Sequence, residues 1–278
     1  FIMMRALYSG VAGLKSHQTQ MDVIGNNIAN VNTYGFKSSR VTFRDVYYQT
    51  LSGASGSGTT LGGTNPSQIG YGAQISSVDV INSRSGMART GLGSDCYISG
   101  EGYFVVEDGT NYLYTRVGAF NFDSDGYLVD GNGRKVCGAK GTNTVSTTAP
   151  EAIQIDAALN GKLNNITYGS DGVITGEDDK GTIHTIGTIG LANVPNPQGL
   201  NQEGNSYFKA VSNTGTVAYG APSSGTVGSL VTSALETSNV DLANEFAQMI
   251  TTQRGFQANS RIITVGDEML ETLINMKR

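Results

Sequence analysis

The stretch MRALYSGVAGLKSHQTQMDVIGNNIANVN, from Met4 to Asn32, carries the pattern that decides the fold. Leu7, Leu14, Met21 and Ile28 fall every seven residues, with Val11 and Ile24 on flanking positions and Gln18 as a polar member of the stripe. A seven-residue repeat brings a helix almost back to the same face, so such a stripe reads as a coiled-coil seam. The spacing predicts one helix over this stretch, about 40 Å long at about 1.5 Å rise per residue. Asn32-Thr33-Tyr34-Gly35 then reads as a helix stop, with Gly35 in a C-cap-like place.

The other end of the chain repeats the pattern. Leu242, Met249, Phe256, Ile263 and Leu270 also recur every seven residues. Their companions are read as Phe246, Gln253, Ser260, Asp267 and Ile274, a row that is polar in its middle. This second helix would be about 55 Å long. Its N-cap is expected at Ser238 or Asn239; Asp241 and Glu245 near its start, and Lys277 and Arg278 at its end, suit the helix dipole. Polar residues in a seam lower stability and favour particular registers. Helices with such weak seams are expected to order only when partner chains add contacts. The alternative is two ordinary amphipathic helices packed on a globular core. The position of both helices at the termini, with β-type sequence between them, favours pairing with each other.

The middle of the chain changes character twice. Residues 36–72 read as an extended arm, linker-like at Ser52-Gly53-Ala54-Ser55-Gly56-Ser57-Gly58 and aromatic at Phe43, Tyr47 and Tyr48. Residues 73–231 read as a β-rich domain of short runs such as Tyr103–Glu107 and Gly187–Ala192, separated by Gly, Asp and Asn turns. Asp125-Gly126 and Asp171-Gly172 are hairpin cues. The expected class is α+β: residues 1–35 and 232–278 form terminal helices pairing as a coiled coil, and the centre is mainly β.

Composition narrows the chemistry. Over 278 residues the net charge is −5, which disfavours nucleic acid as the main partner because phosphate binding needs a basic surface. No apolar run approaches the roughly 20 residues that span a membrane, and no continuous apolar segment follows Arg5 as a secretory signal would require. The Asp123-Ser124-Asp125-Gly126 and Asp130-Gly131-Asn132-Gly133 segments fail the calcium-loop pattern, since Gly comes too early and no Glu follows in place. Gly100-Glu101-Gly102 is too short for a nucleotide fingerprint. His17 and His184, the only two histidines, have no Cys or carboxylate at ligand spacing. Cys96 and Cys137 read as buried structural thiols, with Lys135 and Lys140 near the second. No catalytic constellation, metal site or cofactor site is expected.

Two long motifs resemble a known family. Residues 22–37, DVIGNNIANVNTYGFK, resemble the N-terminal signature of bacterial flagellar rod and hook proteins, carried here by Gly25, Asn26, Asn27, Ala29, Asn30, Asn32, Gly35, Phe36 and Lys37. Residues 235–242, LETSNVDL, and 253–261, QRGFQANSR, resemble the C-terminal signature, with Ser238, Asn239, Val240, Gln253, Arg254 and Asn259. Within the family, Ser38–Phe43 and Gly62–Gly72 look most like hook protein, while Gly100–Phe104 and Tyr114–Arg116 resemble the shared β domain. The chain is too short for the additional outer domain of many hook proteins, and in length it resembles the distal rod protein. The resemblance implies a minimal hook subunit, with the distal rod as the alternative. It implies export through the flagellar type III apparatus without a cleaved signal, growth beneath a hook cap into a helical homopolymer, and an extracellular place in the hook or basal body. It implies contacts with distal rod and hook–filament junction proteins. The terminal helices would line the tube, which makes Leu7, Val11, Leu14, Met21, Ile24, Ile28, Leu242, Phe246, Met249, Phe256, Ile263, Leu270 and Ile274 the expected self-assembly seam. In some members Lys and Cys of neighbouring subunits crosslink, for which Cys96 or Cys137 would be the candidates.

Overall fold

The computed structural model describes residues 2–57, 62–109, 111–141, 144–146, 149–156, 159–225 and 227–276. Gly58 of the expected linker, and Lys277 and Arg278 at the expected helix end, lie outside the described residues. The chain divides into two compact units: Phe1–Ala29, Ser38–Ile81 and Val240–Arg278 form one, and Asn30–Lys37 with Asn82–Asn239 the other. No described helix is long and apolar enough to cross a membrane.

The first unit contains helix α1 (Ile2–Ala29) and helix α2 (Leu242–Met276). Strand β1 (Ser39–Asp45) also belongs to it, as do β2 (Tyr48–Ser52), β3 (Ser67–Gly70) and β4 (Ala73–Val80). The expected arm is therefore built of strands. β1 pairs antiparallel with β4, and β2 with β3. The strand Gln74–Ile81, read with the β-rich centre, is thus the partner of β1. Its burial alternates along the strand, the period expected when one face of a sheet is covered. Ser16 of α1 donates to the Ala73 carbonyl at 3.3 Å. Asn27 is buried and clamps Ser39 from both sides, donating to its carbonyl at 2.8 Å and accepting its N–H at 3.0 Å. The side-chain amide stands in for a strand neighbour, which is why an amide is buried on a helix here.

Both helix ends differ from expectation. α1 stops at Ala29, and Gly35 lies in a later turn with φ +67, its N–H donating to the Glu236 carbonyl at 2.9 Å. It is therefore a turn glycine beyond the helix and not its C-cap. At α2 the cap is Asp241, whose Oδ1 accepts the Ala243 N–H at 2.9 Å. Ser238 and Asn239 are one turn too early. Their segment is instead tied to residues 83–85, where Ser85 Oγ donates to the Ser238 carbonyl at 2.8 Å and Asn239 Nδ2 to Ser83 Oγ at 3.2 Å.

The second unit is antiparallel β throughout its described strands. In chain order these begin with β5 (Met87–Arg89), β6 (Cys96–Ser99), β7 (Tyr103–Asp108), β8 (Asn111–Thr115), β9 (Phe120–Phe122) and β10 (Leu128–Asp130). They continue with β11 (Cys137–Lys140), β12 (Glu151–Ala152), β13 (Leu163–Tyr168), β14 (Val173–Asp178) and β15 (Ile183–Ile189). The last are β16 (Leu191–Asn193), β17 (Asn201–Gly204), β18 (Tyr207–Lys209), β19 (Ala218–Gly220), β20 (Ser229–Thr232) and β21 (Ala234–Glu236). A six-stranded sheet runs β17-β18-β8-β7-β16-β19 and a five-stranded sheet β12-β11-β15-β14-β13. β7 explains the core: Phe104 and Val106 enter one apolar cluster while Tyr103 and Val105 enter another. A strand covered on both faces needs the unbroken apolar run that Tyr103–Val106 supplies. Phe104 meets Phe120 edge to face at 5.0 Å between ring centres. Both expected hairpins form, with Gly126 at φ +78 and Gly172 at φ +81.

Candidate assembly interface

Four glycines bring the helices of the first unit together. Leu7 of α1 packs on Gly266 of α2, Gly10 on Ile263, Gly13 on Asn259, and His17 on Gly255. Asn27 donates to Glu245 at 3.1 Å. The partners rise along one helix as they fall along the other, so the two helices run antiparallel. A Cβ at Gly13 would sit 2.5 Å from Asn259 Nδ2, and one at Gly255 would sit 2.7 Å from His17 Nε2. A side chain at Gly13, Gly255 or Gly266 would have to displace the end of Asn259, His17 or Leu7, whereas Gly10 meets its neighbours at ordinary contact distance.

The inward row of α2 is Glu245, Met249, Thr252, Phe256, Asn259, Ile263, Gly266 and Leu270, alternating steps of four and three. The expected every-seven row from Met249 to Leu270 is part of it, and Leu242 is partly exposed at its start. The companions are different. Phe246, Gln253, Asp267 and Ile274 are exposed, Ser260 is half-buried, and the true companions are Glu245, Thr252, Asn259 and Gly266. The expected row lies one residue too far along, because Thr, Asn and Gly do not look like a seam until close packing makes small residues the right ones. On α1, Ile24 is buried, Leu7, Leu14, Met21 and Ile28 are half-buried, and Val11 is exposed.

The seam is polar where it is tight. Burial pushes the Glu245 carboxyl above the usual carboxylate range, Asn27 opposes this, and Asp241 adds to it. Glu245 Oε2 and His17 Nδ1 are both buried with no hydrogen-bond partner among the described residues. Buried polar atoms left unsatisfied cost free energy that apolar packing must offset. Meanwhile Phe246, Ile250, Ile262, Val265 and Met269 face outward on α2. They fall in two groups, Phe246 and Ile250 near the start of the helix and Ile262, Val265 and Met269 toward its end.

The second unit holds the remaining signature residues around a buried ionic group. Lys37 Nζ lies 2.7 Å from Glu236 Oε1 and Arg116 Nη1 lies 3.4 Å from Glu236 Oε2, with all three side chains almost wholly buried. Lys37 also donates to the Ser83 carbonyl at 2.8 Å, Arg116 to the Gly100 carbonyl at 3.2 Å, and the Ser85 N–H to Glu236 at 3.2 Å. Burial pushes the Lys37 amine below its ordinary value, against the pull of Glu236. Arg116 also stacks over Tyr103 at 5.1 Å. Inside this unit, the group joins the segment after α1 to the segment before α2. Lys37 was legible as a signature residue; its partners were not, since nothing in the local pattern of Glu236 or Arg116 announces a buried charge.

Of the other signature residues, Asn26, Ala29, Asn32, Gln253 and Arg254 are exposed, and Gly25, Asn30, Phe36, Val240 and Asn259 are half-buried. No group of three or more potential metal ligands occurs among the described residues. Asp130 instead accepts the N–H groups of Asn132 and Arg134 at 2.9 Å each, closing its own turn. The thiols of Cys96 and Cys137 are buried, and burial pushes each up to about 12. A thiol held protonated is a poor nucleophile, so neither is set up for covalent crosslinking.

Comparison with known families matches three segments. Residues 7–37 match the flagella basal body rod protein family, residues 97–176 the D1 domain of flagellar hook protein FlgE/F/G, and residues 231–276 the C-terminal region of flagellar basal body rod FlgEFG proteins. The chain is 44% identical over 277 residues to flagellar basal-body rod protein FlgG of Bacillus subtilis, covering 99% of this chain and 100% of that protein. It is 34% identical over 281 residues to FlgG of Borreliella burgdorferi, covering 99% and 100%. Against flagellar hook protein FlgE of the same organism it is 30% identical over 441 positions, again covering 99% and 100%.

Proposed function

Since the chain belongs to the bacterial flagellar rod and hook family, we propose that it is a distal-rod subunit of the flagellar basal body and not the hook subunit suggested by its local motifs. The observation that carries this reading is the match to FlgG at 44% identity over 99% of this chain and 100% of that protein. The alignment to FlgE extends over 441 positions, of which this chain of 278 residues can fill fewer than two thirds. The relatives are named as rod and hook proteins of the flagellum.

In this reading, α1 and α2 form a coiled coil that is completed between copies, and the chain polymerises into a tube. The polar seam and the outward apolar residues of α2 support it. A helix whose own partner covers only one face, and leaves seam atoms unmet, gains more from a second neighbour than a well-packed helix would. Seam residues Leu7, Leu14, Met21, Ile24, Ile28, Met249, Phe256, Ile263 and Leu270 hold the pair within one chain. Val11, Leu242, Phe246 and Ile274 are available to neighbours. The partners are further copies, and hook-type subunits where the rod ends. Export proceeds through the flagellar type III apparatus.

Imaging purified basal bodies with a label on this chain tests the assignment. Label confined to the rod supports it, and label in the curved segment outside the cell contradicts it.

A further inference from the structure

Two Asn-Gly pairs occur in the chain, Asn132-Gly133 and Asn160-Gly161, and the β unit holds them differently. In such a pair the glycine nitrogen can approach the side-chain carbonyl carbon of the asparagine, because no Cβ on the glycine stands in the way. At Asn132 both reacting groups are held. The Gly133 N–H donates to the Asp130 carbonyl at 3.0 Å, and Asn132 Nδ2 donates to the Tyr207 hydroxyl at 2.7 Å. The Asn132 N–H is bound to Asp130 Oδ1 at 2.9 Å, so the backbone of that turn is fixed as well. At Asn160 the nitrogen that would attack is free. The Gly161 N–H makes no hydrogen bond among the described residues, and a Cβ added at Gly161, where φ is +75, would meet nothing within 4 Å. Asn160 and Gly161 are both exposed. The Asn160 amide has a single contact at the surface, with Nδ2 donating to the Ser124 carbonyl at 3.1 Å.

We infer that Asn160 is a site of spontaneous deamidation in the folded chain and that Asn132 is protected from it. The Gly161 nitrogen attacks Asn160 Cγ, the new C–N bond closes a five-membered imide, and ammonia leaves with the hydrogen that the glycine nitrogen gives up. Water then opens the imide at one of its two carbonyls. The product is an aspartate in the ordinary backbone or one linked through its side chain, and the net exchange is water in and ammonia out. The reaction removes the donor to Ser124 and puts a carboxylate in its place. Asp123 and Asp125 flank Ser124, so the new charge is repelled by its neighbours. Asn160 is also the side chain that lies against Gly126, its Cγ 3.4 Å from where a Cβ of that glycine would stand. Conversion therefore loosens the hold of the 159–162 turn on the Asp125-Gly126 hairpin as the chain ages.

The test incubates the full chain at mildly alkaline pH, folded and in urea, and follows the acid form of each Asn-Gly peptide by digestion and mass spectrometry. In urea the two pairs should react at similar rates. In the folded chain Asn160 should continue to react while Asn132 falls at least about tenfold behind, the effect of its holding hydrogen bonds on the barrier. Two variants check the cause. Tyr207→Phe removes the hydroxyl that holds the Asn132 amide and should speed reaction at Asn132 in the folded chain several-fold. Asn160→Gln should leave the peptide around position 160 unconverted and the rate at Asn132 unchanged. Asn132 reacting as fast as Asn160 in the folded chain overturns the inference, as does an Asn160 that reacts in urea but not when folded.

Discussion

The two units of this chain treat their buried carboxylates differently. In the β unit, the Glu236 carboxylate has two cationic partners and a backbone N–H, and Lys37 and Arg116 each also reach a carbonyl. In the helical unit, Glu245 and His17 keep buried atoms unmet, and close glycine contacts replace large apolar knobs. The first arrangement pairs each buried charge with an opposite one inside the chain, with Arg116 Nε left without a hydrogen bond among the described residues. The second leaves one Glu245 oxygen and one His17 nitrogen unmet, and under the proposed function a neighbouring copy would complete it.

The comparison breaks most sharply at the ionic group. Glu236→Ala leaves two buried cations without their anion and should destabilise the β unit by about 3–5 kcal/mol. Urea unfolding followed by near-ultraviolet circular dichroism would measure it, and a loss below about 1 kcal/mol would mean that the group is solvated and not structural. The helical unit should respond less. Gly255→Leu drives a side chain into His17 and should cost the helix pair about 1–3 kcal/mol, the range for overpacking. Helicity should fall and polymers should fail, while the β unit unfolds at an unchanged urea concentration.

Glu245 offers a gentler probe. Its carboxyl is raised in the folded helix pair, mainly by burial, so its contribution is most favourable below the unfolded carboxylate range. That contribution is lost as pH rises through the folded value, leaving a net penalty at neutral pH. Glu245→Gln should remove this pH dependence and stabilise the pair at pH 7 by less than about 1 kcal/mol. A stabilisation that is absent at pH 7, or equal at pH 3, would assign the carboxylate a favourable role. The smallest effect concerns the cysteines. A maleimide should leave native Cys96 and Cys137 unlabelled and modify both in urea; labelling of the folded chain would reopen the crosslinking reading.

Legibility follows the same division. The β strands and hairpins were readable because their signals are local: an apolar run at Tyr103–Val106 and Asp-Gly pairs at the turns. The helices were readable as helices, and their every-seven row was readable at Met249, Phe256, Ile263 and Leu270. The companion row was misplaced because Phe246 and Ile274 are more apolar than Thr252 and Gly266. Hydropathy favours the larger residues, whereas close packing selects the smaller ones. The arm over residues 36–72 reads as a linker because of its Gly and Ser, while the pairing of β1 with β4 joins residues as distant as Ser39 and Val80. Glu236 sat in a quoted motif, but its partners come from distant segments. The hook reading drew on short motifs around the arm; the match along the whole length favours the rod.

Hydrogen exchange of the full chain before and after polymerisation tests the central contrast most directly. The account predicts that amides of β7, β8 and β15 are protected in both states, while those of α1 and α2 exchange quickly in the monomer and become protected in the polymer. Helices as protected as the β unit in the monomer, and no slower in the polymer, would contradict it.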